Sequence, residues 1–134
     1  MLSEIVTAEF INKGKIAEQF AAQHLYYHDT PREKPQLFYW LREGSANNAE
    51  VDFVLSRGTS IFAVEVKAGA SGSLKSLTQF NYEKSRTKSI RFDLNPPSLM
   101  RSKSRLTMKG QDVGLDYDLV SLPLYMVGQI DRIL

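Results

Sequence analysis

Apolar and polar positions alternate most clearly between Glu50 and Lys67, in EVDFVLSRGTSIFAVEVK. Val51, Phe53 and Leu55 alternate with Glu50, Asp52, Val54 and Ser56. Further on, Phe62, Val64 and Val66 alternate with Ile61, Ala63, Glu65 and Lys67. A period of two, carried by β-branched and aromatic residues, predicts two strands. Gly58-Thr59 between them suits a two-residue type II′ hairpin loop with glycine first. With Arg57 facing Ser60, Asp52 is expected opposite Glu65 and Glu50 opposite Lys67. Opposed residues share a face of the sheet. One face is therefore predicted to carry Val51, Phe53, Leu55, Phe62, Val64 and Val66, and the other to gather Glu50, Asp52, Glu65 and Lys67.

The flanking pattern supplies the other elements. Residues 4–27 are predicted helical, because Ile5, Val6, Phe10, Ile16, Ala17, Phe20, Ala21 and Leu25 approximate helical spacing. Gly14 marks a break or bend there, and Asn12 a cap for a second segment. His24 and His28, near the helix end, read as packing or capping residues. A polar loop is expected from Tyr27 to Pro35, a strand from Gln36 to Arg42 with Trp40 in the core, and a loop from Glu43 to Ala49. A Gly/Ser loop, Ala68 to Ser73, leads to a helix of about ten residues from Leu74, with Ser73 as N-cap. Its apolar stripe is Leu74, Leu77 and Phe80.

Ser89 to Leu94 reads as a fourth strand, ended by Asn95-Pro96-Pro97 because proline has no ladder donor. Ser98 to Asp116 is the stretch with least structural signal. Tyr117 to Ser121 reads as a fifth strand. Pro123 suits the first turn of a final helix whose apolar residues (Leu124, Met126, Val127, Ile130, Ile133, Leu134) leave some surface for a partner. The order predicts one α/β domain over residues 1–134, with a mixed sheet of about five strands flanked by helices.

Opposed carboxylates repel. Lys67 offsets part of that repulsion and a divalent cation would offset more. Mg²⁺ typically takes one or two carboxylates together with waters and substrate phosphate. A lysine beside such a site can hold an attacking water or stabilise developing negative charge. The plainer alternative is the solvated outer face of an antiparallel hairpin, where Glu and Lys are ordinary.

Charge sharpens the contrast between these readings. The 134 residues carry a net +2. Residues 84–109 hold Lys84, Arg86, Lys88, Arg91, Arg101, Lys103, Arg105 and Lys109 against Asp93 alone, a net of +7, which leaves −5 on the remainder. A basic segment facing an acidic cluster is what a metal-dependent enzyme acting on a phosphate backbone needs. A solvated basic loop is the plainer reading. Hydrophobic residues at 43% and charged residues at 24% are ordinary for a soluble globular protein. No apolar run is long enough to span a bilayer, so no membrane partner is expected. The N-terminus, MLSEIVTAEF, lacks a signal-peptide pattern. With zero cysteines, disulfides and thiolate metal sites are excluded, which fits a cytoplasmic protein.

Asp52 followed by Glu65-Val66-Lys67 resembles the PD-(D/E)-x-K nuclease superfamily, the restriction-endonuclease-like fold. More narrowly, GKIAEQFAAQHL (14–25), FYWLREGSANNAEVDFVL (38–55), AVEVKAGASGSLKSL (63–77) and the closing SLPLYMVGQIDRIL (121–134) resemble a domain of unknown function. That domain follows the ATPase module in a family of prokaryotic AAA+-type ATPases. The resemblance implies a restriction-endonuclease-like core and Mg²⁺ or Mn²⁺ bound by Asp52, Glu65 and the Val66 carbonyl. Lys67 would assist the attacking water, and Glu18 and Glu50 would be second-tier acidic groups. Glu18 falls where the superfamily's first helix often supplies a glutamate; a plain helix-surface glutamate is the alternative. Val51, not proline, precedes Asp52.

DNA is the expected partner, through Lys75, Gln79, Lys84, Arg86, Lys88, Arg101, Lys103 and Arg105. Tyr82 is a further candidate on the second helix; a wet helix face is the plainer reading there. No G-x-x-x-x-G-K-S/T loop occurs, so no ATPase activity is expected. The chain then reads as an excised C-terminal domain or as a gene that has lost its front end. The expected activity is hydrolysis of DNA phosphodiester bonds. The alternative is an inactive DNA-binding or docking module, with an ATPase module or a second copy of the chain as partner.

Overall fold

A computed structural model describes residues 2–28, 36–43, 48–69 and 73–134, with residues 2–12 described by their backbone alone. The expected loops therefore lie partly outside the described residues, at 29–35, 44–47 and 70–72. The chain forms α1 (Leu2–Tyr26), β1 (Phe38–Arg42), β2 (Ala49–Arg57), β3 (Ser60–Val66), α2 (Lys75–Lys84), β4 (Lys88–Asp93), β5 (Ser98–Met108), β6 (Gln111–Pro123) and a closing 3₁₀ helix, Leu124–Arg132.

The strands form one mixed sheet in the order β1-β2-β3-β4-β6-β5. β1, β2 and β3 form an antiparallel meander, and β5 returns antiparallel to β6. At the centre, β3, β4 and β6 run parallel. Parallel neighbours need a long crossover, and α2 provides it between β3 and β4. The β2–β3 turn follows the predicted form: Arg57 pairs Ser60, and Gly58 alone takes a left-handed φ of 60°.

Both faces of the sheet are covered at its centre. On one, Ala17, Ala21 and Leu25 of α1 and Val127 and Ile130 of the 3₁₀ helix pack on Phe53, Leu55, Val64, Val66, Ile90 and Phe92. On the other, Leu77 and Phe80 of α2 pack on Val51, Ala63, Tyr117 and Leu119. Trp40, expected in the core, is half-buried against this cluster, edge-on to Phe80 with ring centroids 5.5 Å apart. Burying each Val, Leu, Ile or Phe side chain here contributes about 1.5–3 kcal/mol. Inside the α2 face, Thr78 Oγ1 lies 3.0 Å from the Tyr117 hydroxyl and Asn81 Nδ2 donates to Ser89 Oγ at 2.8 Å, while Asn81 Oδ1 has no partner among the described residues.

Four expectations are corrected. The sheet has six strands, because Ser98 to Asp116 is not irregular: it forms β5 and the first half of β6. The Lys109-Gly110 turn joining them has φ of 49° and 78°, a type I′ hairpin that keeps eleven register pairs from Met108↔Gln111 to Ser98↔Ser121. α1 runs unbroken through Asn12 and Gly14, since a lone glycine costs only about 1 kcal/mol in a helix. Pro123 ends β6 rather than starting a helical turn, and the last helix is 3₁₀. α2 starts at Lys75 after Leu74, yet Ser73 Oγ still accepts the Lys75 N–H at 3.2 Å.

Candidate active site

A bulge in β2 sets the geometry. Phe38 pairs Val54 while Trp40 pairs Val51, so three steps along β2 match two along β1. The bulge moves Val51 onto the α2 face, whereas Phe53 faces α1. The β2–β3 ladder correspondingly ends at Phe53↔Val64. Asp52 therefore does not oppose Glu65, nor Glu50 Lys67, as an unbroken alternation predicts. Instead the Asp52 carboxylate turns to the end of β3, where its Oδ2 accepts the Val66 N–H at 2.7 Å.

Glu65 is 6% exposed, near the carboxyl end of β3. Its Oε1 accepts from Lys67 Nζ at 2.5 Å, while its buried Oε2 has no hydrogen-bond partner among the described residues. Burial, then the Asp52 charge, pushes the Glu65 carboxyl up to about 7, against the pull of Lys67. Burial also raises Asp52, although the Val66 N–H and Lys67 oppose the rise. On α1, Glu18 is raised by partial burial and by the charges of Asp52 and Glu50. The five residues expected from the sequence thus form one electrostatically coupled group. A solvated hairpin face does not describe Glu65, whose strand neighbour Ala63 packs against Leu77 of α2, although Glu18 and Glu50 are exposed.

Two carboxylates, one with an orphaned buried oxygen, suit a divalent cation that keeps waters and takes substrate phosphate. The donor set fits such an ion, and Asp52 and Glu65 would hold it with the Val66 carbonyl. In an extended strand a residue's N–H and C=O point to the same side, so this carbonyl faces the side on which Asp52 meets the Val66 N–H. Among the described residues no three His, Cys, Asp or Glu side chains converge into a ready cation cage.

The expected nucleic-acid residues are spread out. Lys84, Arg86 and Lys88 lie around the start of β4, while Glu65 pairs by register with Arg91 nearer its end. Arg101, Lys103 and Arg105 run along the edge strand β5, away from Ser98, which shares Ser121 as a register partner with Arg91. Arg101 is ion-paired to Asp118 at 2.8 Å and Arg105 to Asp112 at 3.8 Å. Gln79 is buried rather than on a wet face, and its amide donates to Glu83 at 2.9 Å. Lys75 is exposed and Tyr82 half-buried on α2. His24 Nδ1 meets the Phe20 carbonyl at 2.9 Å, and His28 contacts Asp131, so both play the packing roles expected of them.

Sequence reasoning missed Arg91 and Asp93 as neighbours of the cluster. Their 2.9 Å ion pair lies on the strand beside Glu65, and Asp93 is 1% exposed. The signal was an i, i+2 Arg–Asp pair in a strand, which places both on one face.

Fold and site define a mixed α/β domain with a buried carboxylate–lysine group at the carboxyl end of a parallel strand. The chain belongs to the family described as a domain of unknown function (DUF4143), whose model matches residues 13–123. Comparison with curated proteins and with solved structures gives no match.

Proposed function

We propose that this chain is a Mg²⁺- or Mn²⁺-dependent nuclease-like domain of the PD-(D/E)-x-K type, hydrolysing DNA phosphodiester bonds at Asp52, Glu65 and Lys67. One observation carries the reading. Asp52 is anchored on the Val66 N–H beside a buried Glu65 that keeps one oxygen without a partner. An unsatisfied buried acceptor costs about 1–3 kcal/mol, and a bound cation would remove that cost at Glu65. When bound, the metal would neutralise the carboxylates and the charge developing on the phosphate. Lys67, once its Nζ leaves Glu65 Oε1, positions and polarises the attacking water. Glu18 and Glu50 border the same space and orient solvent toward it.

The test is cleavage of plasmid and linear DNA with Mg²⁺ or Mn²⁺. Asp52→Ala is expected to abolish cleavage while circular dichroism stays native. Lys67→Ala is expected to slow it by about 100-fold or more. Cleavage that persists in Asp52→Ala would place the active centre elsewhere. Magnesium titration by calorimetry, with binding lost in Asp52→Ala/Glu65→Ala, reads the metal site separately.

The Lys67–Glu65 ion pair favours a second reading, because it closes the cluster on itself. In that case the chain is an inactive DNA-binding or docking module, the accessory domain of an AAA+-type ATPase. Native protein that binds no divalent cation, with or without DNA, would decide for it.

A further inference from the structure

We propose that an apolar groove beside the carboxylates seats an unstacked nucleobase, so that the strand delivered to them is single-stranded or a frayed end. The choice of a nucleobase as occupant rests on the nuclease-like reading. The groove encloses about 450 Å³ between Ile16 and Phe20 of α1, Leu124 and Tyr125 of the 3₁₀ helix, and Ala68 and Leu94. Three of these residues lie just past the ends of the parallel strands: β3 ends at Val66, β4 at Asp93 and β6 at Pro123. Crevices outside the carboxyl ends of strands are where open α/β sheets take ligands. The Leu94 N–H donates to the Gly69 carbonyl at 3.3 Å, joining two of the segments that form the floor. Ala68 directly follows Lys67, and Ala17, also in the lining, directly precedes Glu18, so the groove and the acidic cluster share a wall.

The chemistry of the lining selects the occupant. Tyr125 is 77% and Leu94 65% exposed, so the fold leaves large side chains uncovered in one concave place. A ligand that continues from this groove to the carboxylate–lysine cluster must join a flat apolar group to a phosphate, and a nucleotide does. The walls are almost wholly apolar, so they grip a base by its face and do not read its edge. Stacking of this kind tolerates sequence. A base inside an intact duplex reaches such a seat only by unstacking, at a cost that a single strand avoids.

The probe is fluorescence anisotropy of a labelled short oligothymidylate and of a hairpin duplex, in EDTA so that no cleavage occurs. Wild type is expected to bind the single strand more tightly. Tyr125→Ala and Leu94→Ala, both surface changes, are expected to weaken single-strand binding, Tyr125→Ala by about 5- to 150-fold, the loss of one base stack. Duplex binding and the melting curve should barely change. An oligonucleotide carrying iododeoxyuridine should photocrosslink to Tyr125 or Phe20. Equal affinity for both probes, or single-strand binding indifferent to both substitutions, overturns the seat. So does a Tyr125-dependent dimer in sedimentation without Tyr125-dependent DNA binding, which assigns the groove to a second copy. The two readings separate cleanly. Tyr125-dependent binding without Mg²⁺-dependent cleavage keeps the seat and removes the nuclease; cleavage with Tyr125-independent binding does the reverse.

Discussion

A buried carboxyl that keeps its proton near neutral pH makes the metal-free protein sensitive to base. The native Glu65 carboxyl releases its proton near pH 7, against 4.5 for the unconstrained group. Between those values the native state holds the extra proton, so stability falls as pH rises and levels off above about 7. A shift of this size corresponds to about 3 kcal/mol. Urea unfolding in EDTA should therefore show the protein less stable at pH 8 than at pH 5. Glu65→Gln should flatten that slope and be the more stable protein at pH 8. A wild type that gains stability across this range would mean that Glu65 is not desolvated as described. At this scale the sequence brought Asp52, Glu65 and Lys67 together by residue type and hairpin pattern, though in an opposed register that the structure does not have, while Glu18 entered only through the resemblance. The hydrogen bond from Val66 was not legible, because it depends on a one-residue bulge that leaves no mark in the alternation of β2.

Among the elements, the central hairpin was legible because apolar alternation and a glycine-first turn agree. The β5–β6 hairpin was not. Its turn is Lys-Gly rather than Asn-Gly, and much of β5 alternates cations with serines instead of apolar residues. Ser102 and Leu106 are buried on one side of β5, while Arg101, Lys103 and Arg105 face the other. The type I′ turn now carries a testable imbalance. Lys109 sits at φ 49°, where a side chain with Cβ is held at a cost of about 1–2 kcal/mol that asparagine largely avoids. Lys109→Asn should raise the melting temperature by a few degrees. Gly110→Ala, at φ 78°, should lower it by a similar amount. Shifts of the same sign in both variants would mean that the turn is not type I′.

For the molecule as a whole, a run of cations in sequence is not a patch in space. The basic segment 84–109 reads as one footprint only while its partners are unknown. Those partners, Asp112 and Asp118, lie across the β5–β6 register, beyond any pattern of local spacing. With Arg91 held by Asp93, three of the eight cations are ion-paired among the described residues. The others divide between the start of β4, the exposed strand β5 and its turn. This spread has a measurable consequence in counterion release. A single strand touching all eight cations would lose affinity with a log–log salt slope of about −6, and one touching the five outside ion pairs about −3.5. Because Arg91 is tied to Asp93 beside the acidic cluster while Lys103 and Lys109 lie on the edge strand β5 and its turn, the expected slope is at the shallow end, about −3.5 or flatter. Anisotropy of the oligothymidylate complex across a salt series measures it. A slope near −6 would require the Arg–Asp pairs to open on binding and the β5–β6 hairpin to fold toward the strand, making that hairpin a clamp rather than a self-neutralised edge.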